Sequence, residues 1–232
     1  MIPQRYIHNL PVCNEKEFGI IQKKRVAIVG AGGLGGFITD QLARLGIGEL
    51  KIIDDDTFEL SNLNRQLYSD TLNTGKFKAD AAARRAAEVN PDVRIRAVKI
   101  HLDRSNAREL LNGSDIVFDA VDNRETKLLI QDSCREIGTA FVHGAVGSQA
   151  AQISLILPGQ DTLNEIYNTG ENSPDSRESI PPFIPAIAAS LQVAEGLNFL
   201  LDRHDKHKRT LIYFNIQDCE MMRMDMGERT DT

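Results

Sequence analysis

A glycine-rich turn near the start of the chain is the first stretch whose residue types could do chemistry. Gly30-Ala31-Gly32-Gly33-Leu34-Gly35 fits the pattern G-x-G-x-x-G. Glycine lets the backbone turn tightly and lets a phosphate approach main-chain N–H groups at the start of a helix. Asp54 follows 24 residues after Gly30, where a carboxylate could bind ribose hydroxyls. The two features predict a nucleotide site, and alone they favour a dinucleotide-dependent oxidoreductase.

The segment that follows Asp54 favours a different nucleotide. It reads DDTFELSNLNRQLYSDTLNTGKFKADAA and carries Asn62, Arg65, Gln66 and Lys78. An oxidoreductase of that kind needs only one acidic group here. Cations so close to a glycine turn suit a triphosphate, because they neutralise charge that shifts in the transition state. A solvated charged surface is the alternative for Arg65 and Lys78, and their spacing alone does not decide between the two.

Another acidic position follows a later apolar stretch. Asp122 closes the predicted strand DIVFDAV, and Asn123 begins the next predicted helix. A carboxylate there would point into a crevice and could hold Mg²⁺ on the phosphates. Either residue could equally cap the helix. Both roles can hold together, because a cap fixes the geometry that a metal ligand needs.

The elements that position these residues alternate between strands and helices. Val26–Val29, a helix over Phe37–Leu45 that stops at Gly46, and the strand ELKIID form one βαβ unit. Further helices are predicted over 76–88, 105–111 with Ser105 as N-cap, 125–137 and 184–201, and strands over 94–98, 115–121, 140–146, 152–157 and 210–216. This order predicts an α/β fold with a Rossmann-like, doubly wound, mainly parallel sheet and a C-terminal extension of strands and a long helix. The ligand crevice should lie at the carboxyl ends of the strands.

Composition excludes several classes of protein. The chain has 232 residues and a net charge of −6, which argues mildly against nucleic acid as the main partner. Its three cysteines, Cys13, Cys134 and Cys219, are far apart, so a disulfide framework or a four-cysteine zinc site is not expected. The start lacks a secretory apolar core, and no run approaches the roughly 18 apolar residues that span a bilayer. These features predict a cytoplasmic protein without a membrane segment.

Four stretches together carry a specific resemblance. VAIVGAGGLGG, IIDDDTFELSNLNRQ, TGKFKA and FDAVDNRETK resemble, in order and register, the ThiF/MoeB/HesA adenylyltransferase family. The adenylation domain of ubiquitin-activating enzymes has the same fold. The likeness runs from about Arg5 to Leu201. The motif S-N-L-x-R-Q is far more discriminating than the glycine turn.

The resemblance implies an activity and its residues. The expected reaction is ATP- and Mg²⁺-dependent adenylation of the C-terminal glycine of a ubiquitin-like sulfur-carrier protein ending in Gly-Gly, with release of pyrophosphate. Catalytic residues would be Arg65, Lys78 and Asp122, with Asp122 as the Mg²⁺ ligand. The nucleotide would be bound by Gly30, Gly32, Gly33, Gly35, Asp54, Asn62, Arg65, Gln66, Lys78 and Asn123. The resemblance also implies a homodimer, which the apolar helix over 184–201 would favour unless it is an ordinary core helix.

The sequence departs from the family pattern at its cysteines and in its first residues. The stretches GQDTLNEIYN and QDCEMMR lack the C-x-x-C pairs of a structural zinc site, so no zinc is expected. The loop ENSPDSRESIPPF has no cysteine, which implies a separate sulfur donor. Cys134 is expected to be buried, whereas Cys13 could be exposed. His8 stands where the family has an arginine that reaches the partner's ATP site, and Arg5 is one possible substitute.

The chain is expected to form one domain in four parts. These are an N-terminal arm (1–24), a Rossmann-like ATP-binding core (25–157), a flexible loop (158–183), and a C-terminal helix and strand with a frayed charged tail (184–232). His143 could face the crevice near the carrier's tail, or it could be a hydrogen-bonded residue at a strand end. His101 is expected on the surface.

Three alternative functions remain at this point. The first is adenylation of another carboxylate, on modified tRNA or a peptide. The second is a non-catalytic homologue that binds a carrier, which the missing cysteines and His8 favour and the retained polar residues oppose. The third is the oxidoreductase, which leaves SNLNRQ and Lys78 unexplained.

Overall fold

A single mixed sheet is the framework of the molecule. The computed structural model describes residues 2–10, 12–168, 179–204 and 209–227. Within these ranges the strands are β1 (Arg25–Val29), β2 (Glu49–Ile53), β3 (Arg94–Val98), β4 (Ile116–Asp119), β5 (Phe141–Val146), β6 (Ala150–Ile156), β7 (Thr210–Asn215) and β8 (Glu220–Asp225). Their order is β3-β2-β1-β4-β5-β6-β7-β8. The first five strands run parallel, and β6, β7 and β8 add antiparallel. The predicted α/β fold class is confirmed.

Helices cover both faces of this sheet. They are α1 (Glu15–Ile21), α2 (Gly33–Leu45), α3 (Lys78–Val89), α4 (Ala107–Leu111), α5 (Arg124–Ile137), α6 (Thr162–Asn168) and α7 (Phe183–Leu200). Alternate strand residues face opposite sides. Ile28 and Phe118 therefore pack with α1, α2 and α7, whereas Ala27 and Val117 pack with α4, α5 and α6. The two apolar cores hold the ends of the parallel strands in fixed positions.

The turn between β1 and α2 needs glycine at two positions for steric reasons. Gly30 has a φ of 95°, and a Cβ there would lie 2.6 Å from the carbonyl oxygen of Ala120. A Cβ on Gly35 would lie 1.9 Å from the carbonyl oxygen of Gly30. The helix can therefore approach the strand end only because both side chains are absent.

The described residues among the first 24, 2–10 and 12–24, pack onto the domain. A 3₁₀ helix (Gln4–Asn9) and α1 bury Tyr6, Cys13 and Phe18 in the core that contains α2 and α7. The Tyr6 hydroxyl accepts a hydrogen bond from the Asn90 side chain at 2.7 Å. The expectation that Cys13 could be exposed is wrong, because the segment contributes apolar side chains to the core instead of extending from it. His8 is exposed on the 3₁₀ helix, and its role remains a prediction.

Two predicted boundaries around the middle of the chain are wrong. Helix α4 begins at Ala107, and Ser105 does not cap it. The Asp103 carboxylate accepts the N–H groups of both Ser105 and Asn106, so a turn stabilised by Asp103 precedes the helix. Strand β4 ends at Asp119, which places Asp122 in the connection after the strand.

Regular structure extends into two segments that were predicted to be irregular. Within the predicted loop over 158–183, α6 buries Leu163 and Tyr167 against α5. The rest of that loop from 169 to 178, including most of the cysteine-free stretch, lies outside the described residues. Residues 220–225 form β8, paired with β7, so the strand at 210–215 is not the last. The final residues of the charged tail, 228–232, also lie outside the described ranges.

Helix α7 is apolar because it packs in the core. Its 18 residues are long and apolar enough to cross a membrane by length and composition, which the sequence-based expectation overlooked. Half of this helix is buried within the protein. Ile184, Ala188 and Val193 pack in the core shared with α2 and the sheet. Its apolar character therefore gives no separate support to a dimer interface.

We predict that Gly35→Ala destabilises the protein by about 3 kcal/mol or more, because the new methyl group would overlap a backbone carbonyl. Gly19→Ala is the matched control. Nothing lies within 4 Å of its Cβ position in α1, so it should stabilise by about 0.5–1 kcal/mol. Urea unfolding of both variants measures the difference. Equal stability of the two would contradict the close approach at Gly35.

Candidate functional site

A cavity of about 350 Å³ lies at the carboxyl ends of the parallel strands. The structure brings to it most of the residues singled out from the sequence. Its lining includes Gly30, Gly32, Gly33, Asp54, Arg65, Gln66, Lys78, Asp122 and Asn123. Two of the predicted residues, Gly35 and Asn62, do not line it. The site thus forms where the first βα connection meets the loops after β2 and β4.

Asp54 fastens the end of β2 to the glycine turn. Its Oδ2 accepts the N–H of Ala31 at 2.6 Å, and its Oδ1 accepts the N–H of Asp56 at 2.8 Å. Burial raises the pKa of Asp54, although both hydrogen bonds and the charge of Lys78 act in the opposite direction. Each carboxylate oxygen can accept more than one hydrogen bond, so the group can still bind a hydroxyl.

Arg65 and Lys78 differ in how they are held. The Lys78 ammonium lies 3.0 Å from the Asp56 carboxylate, and its side chain is largely buried at the start of α3. The Arg65 guanidinium donates to the carbonyl of Ser61 at 2.9 Å and to the side-chain oxygen of Asn64 at 2.8 Å. These acceptors are neutral, so they orient Arg65 without cancelling its charge. Arg65 is therefore ready to bind an anion.

Gly35 and Asn62 lie behind the residues that line the cavity, and the nucleotide-binding roles expected of them stay predictions. Gly35 packs on the Gly30 carbonyl, and Asn62 is buried with its Oδ1 accepting the N–H of Glu59 at 3.0 Å. The loop is shaped by Asn62, which places Arg65 and Gln66. The Gln66 side chain lies against Gly32, and its buried Oε1 has no hydrogen-bond partner among the described residues.

The sequence offered two roles for Asp122 and Asn123, a helix cap and a Mg²⁺ ligand, and the structure gives the cap to Asn123. The Asn123 side chain caps α5 by accepting the N–H of Thr126 at 2.9 Å. Asp122 is exposed at the cavity, and in the described part of the chain its carboxylate forms no hydrogen bond or ion pair. Magnesium is commonly held by one or two carboxylates together with substrate phosphates. Asp122 fits that arrangement, since its oxygens are available.

A buried polar network under the cavity was not anticipated from the sequence. The Lys127 ammonium lies 3.0 and 3.1 Å from the two oxygens of Asp119, and it donates to the Gly144 carbonyl at 2.7 Å. His143 Nδ1 lies 2.7 Å from Asp119 Oδ2. Asp119 and His143 are completely buried. The available signal was Asp119 itself, because a charged residue inside an apolar strand requires a partner.

The network fixes the protonation states of its members. Burial disfavours the charged carboxylate, but Lys127 and His143 together hold the pKa of Asp119 below its usual value. Burial also lowers the pKa of His143, so its ring is neutral at pH 7. A carboxylate only accepts hydrogen bonds, so Nδ1 of His143 carries the proton. His143 therefore lies beneath the cavity and does not face it. This agrees with the second interpretation from the sequence, a hydrogen-bonded residue at a strand end.

The cavity wall also includes residues that sequence reasoning did not place there. His101, expected on the surface, is exposed but lines the cavity, with Nδ1 3.3 Å from the Asp55 carboxylate. Arg124 and Tyr167 line the wall near Asp122. His101 follows β3, whose bounds the sequence predicted, and Arg124 begins α5, whereas Tyr167 lies on α6, which the sequence did not predict.

The cysteines are not in the cavity lining. Cys134 is buried as expected, and burial raises the pKa of its thiol to about 12. Burial likewise raises the pKa of Cys13. Cys219 is exposed in the β7–β8 turn. Because the thiolate is the reactive form, neither buried cysteine is activated for sulfur chemistry.

We predict that His143 makes the protein less stable in mild acid. The pKa of His143 in the folded protein lies below its unfolded value of about 6.5, so only the unfolded chain binds the proton between these two values. The free energy of unfolding should therefore fall as the pH drops below about 6.5. His143→Asn, which can still donate to Asp119, should reduce that slope by up to about 1.4 kcal/mol per pH unit. Urea titrations between pH 5 and 7 measure how the free energy of unfolding depends on pH. Equal slopes for the wild type and His143→Asn would contradict the assignment.

Comparison with known proteins gives a consistent result. The model of the ThiF family matches residues 4–232. The SAMP-activating enzyme E1 of Haloferax volcanii is 34% identical over 204 residues, which are 86% of this chain and 76% of that protein. The sulfur carrier protein adenylyltransferase of Thermus thermophilus is 32% identical over 193 residues, which are 78% of this chain and 70% of that protein. The chain spans only 49% of a probable molybdopterin-synthase adenylyltransferase of Porphyra purpurea at 30% identity.

Solved structures share the fold at lower identity. The E. coli MccB crystallised with MccA superposes with a TM-score of 0.82 at 20% identity, covering 99% of this chain and 73% of that one. The E. coli tRNA N6-threonylcarbamoyladenosine dehydratase TcdA, crystallised with ATP, gives a TM-score of 0.73 at 23% identity, covering 86% and 95%. The family match over nearly the whole chain, together with relatives named adenylyltransferases, gives one assignment: this chain belongs to the ThiF family and is an adenylyltransferase.

Proposed function

We propose that this chain uses ATP and Mg²⁺ to adenylate the C-terminal glycine carboxylate of a ubiquitin-like sulfur-carrier protein, releasing pyrophosphate. The observation that carries the proposal is the single cavity that joins the glycine turn, Asp54, Arg65 and Asp122. Relatives named for activating SAMP, ThiS and a sulfur carrier protein support the class of substrate. The product would supply sulfur to the biosynthesis of a cofactor or an amino acid.

The chain's own residues would act by positioning and charge neutralisation. Asp54 would bind the ribose, and the N–H groups at the start of α2 would face the phosphates. Arg65 and Lys78 would neutralise the triphosphate as pyrophosphate departs. A carboxylate is already a nucleophile at pH 7, so little acid–base catalysis is needed. Mg²⁺, held by Asp122 and phosphate oxygens, would supply further neutralisation of the phosphate charge.

The wider setting of this reaction is also proposed. With Cys13 and Cys134 buried, a separate sulfur donor would complete the transfer after adenylation. We propose a cytoplasmic location, which the composition favours. We also propose that no structural zinc is bound. In the described part of the chain, no group of three or more His, Cys, Asp or Glu side chains could hold a metal ion.

The proposed function is tested by ATP–pyrophosphate exchange with Mg²⁺ and a panel of carrier proteins that end in Gly-Gly. Exchange that requires one carrier and is lost when its last glycine is removed is the expected result. ATP binding without exchange on any carrier would point to another carboxylate substrate. Absence of ATP binding would favour a non-catalytic homologue and would overturn the proposal.

We predict that Asp122→Ala lowers exchange at least about 100-fold without loss of stability. The side chain is exposed and forms no hydrogen bond with the described residues, so its removal disrupts no packing. Loss of one group that neutralises transition-state charge has an effect of about this size. Asp132→Asn, in the middle of α5 and paired with Arg135, is the control and should retain activity. Wild-type exchange in Asp122→Ala would remove Asp122 from the mechanism.

We further propose a homodimer that uses the surface around the Arg65 loop. Leu60, Leu67, Leu72 and Phe77 are exposed there, with Leu60 at 73% and Leu72 at 80%. Clustered exposed apolar side chains often mark an interface. Leu60→Glu together with Leu72→Glu should shift the protein from dimer to monomer in analytical ultracentrifugation. Ile20→Glu, on α1, is the control; a wild-type protein that is monomeric at micromolar concentration would contradict this surface.

A further inference from the structure

An arginine on the cavity wall has no assigned role. Arg124 is the first residue of α5, directly after the cap Asn123. Its guanidinium carbon lies 5.1 Å from the centroid of the Tyr167 ring, a cation–π arrangement. Both side chains line the cavity. The arginine thus lies against an aromatic face while its donor groups remain available at the edge of the guanidinium plane.

The aromatic surface beneath Arg124 is held in place. Tyr167 is buried on α6, and its ring meets the His143 ring edge-on at a centroid distance of 6.3 Å. His143 is in turn hydrogen-bonded to Asp119 within the buried network. A cation that packs on a fixed ring loses few further conformations when it binds a ligand, so the site is preorganised.

Among the described residues Arg124 has no neutralising partner, unlike two other cations of the cavity. Lys78 is paired with Asp56, and Lys127 is paired with Asp119. Within the described ranges, no ion pair involves Arg124. Its position is also unfavourable for the helix, because a cation at the N-terminus is repelled by the helix dipole. An exposed arginine that does not serve the helix is available to an anionic ligand.

The order of the strands indicates which anionic ligand Arg124 would bind. Asp54 and His101 follow β2 and β3 at one side of the cavity, and the glycine turn follows β1 in the middle. Arg124 comes after β4, and Ala145 and Val146 of the neighbouring β5 line the same side. The ribose and base would occupy the Asp54 side. Arg124 therefore lies on the opposite side, where a second substrate would enter.

We propose that Arg124, oriented by Tyr167, binds the C-terminal carboxylate of the carrier and aims one of its oxygens at the α-phosphorus of ATP. This inference rests on the proposed function. The carboxylate oxygen forms a bond to the α-phosphorus, and the bond from that phosphorus to the bridging oxygen breaks. Pyrophosphate leaves with the electron pair, and Arg124 remains protonated throughout. Terminal glycines would bring no side chain against the Tyr167 ring.

Exchange kinetics separate this role from nucleotide binding. With the carrier that gives the highest wild-type rate, Arg124→Gln should raise the KM for the carrier about tenfold or more, since a charged hydrogen bond is lost. The KM for ATP should change less than about twofold. The KM of Arg124→Lys for the carrier should lie between those of the wild type and Arg124→Gln, because lysine keeps the charge but lacks the planar guanidinium. Arg135→Gln, at the other end of α5, should match the wild type.

A binding measurement gives a readout independent of turnover. Calorimetry with a non-hydrolysable ATP analogue compares the carrier with the same carrier ending in a carboxamide. The wild type should prefer the carboxylate form about tenfold, and Arg124→Gln should bind both forms equally. Tyr167→Phe should keep the preference and Tyr167→Leu should reduce it. Melting temperatures of the Arg124 variants should change little, because the lost cation–π contact and the relieved repulsion from the helix dipole are of similar size.

The outcomes distinguish the inference from the function on which it rests. If the wild type exchanges pyrophosphate with no carrier, the proposed function fails and this inference fails with it. If the wild type is active and Arg124→Gln has an unchanged KM for the carrier, only the inference is overturned. A rise in the KM for ATP equal to that for the carrier would also overturn it, by placing Arg124 on the triphosphate.

Discussion

The buried ion pair between Lys127 and Asp119 is the interaction on which the geometry of the cavity depends. Lys127 belongs to α5, Asp119 ends β4, and the Gly144 carbonyl that completes the site belongs to β5. The Gln192 side chain of α7 donates to the carbonyls of Asp119 and Val142 at 2.8 and 3.2 Å. Removing one partner of such a pair typically costs about 3–5 kcal/mol, because the other charge stays buried. Four elements are thereby fixed at one point under the cavity.

The cations around the cavity differ in whether they are paired with a carboxylate. The buried Lys127 is paired with Asp119, and Lys78, which is proposed to contact the triphosphate, is paired with Asp56. Arg65 is held by neutral acceptors and Arg124 by an aromatic ring, so both retain their charge. Asp122 lines the same cavity, and its carboxylate is paired with no residue in the described part of the chain. Under the proposed function, the cavity would join anion-binding groups at two places to a carboxylate that could hold Mg²⁺, as the transfer of a nucleotide between two negatively charged reactants requires.

Local patterns in the sequence were sufficient to predict most of the strands and helices and most of the residues that line the cavity. Residues that follow strand ends, such as Asp54 and Asp122, could be placed because parallel strands end at one edge of the sheet. The position of Asn62 and Gly35 behind the cavity lining could not be predicted, because motif spacing does not distinguish a residue that lines a cavity from one that supports its neighbour. The contacts of His143 with Asp119 and of Tyr167 with Arg124 could not be predicted, because they join positions 24 and 43 residues apart in the chain. Helix α6 and β8 were missed, because short elements rich in polar residues or methionine lack a clear periodicity.

The strand order described above has a consequence for how the chain is made. β1 is synthesised first among the strands, yet it lies between β2 and β4, and β4 begins only at Ile116. One side of β1 therefore keeps unpaired backbone groups while the next 86 residues, 30 to 115, leave the ribosome. Pairings this distant in sequence form slowly, and exposed strand edges favour association between chains. A molecular chaperone that covers the exposed edge of β1 during that interval would limit association between chains, so the strand order should affect the yield of folded protein.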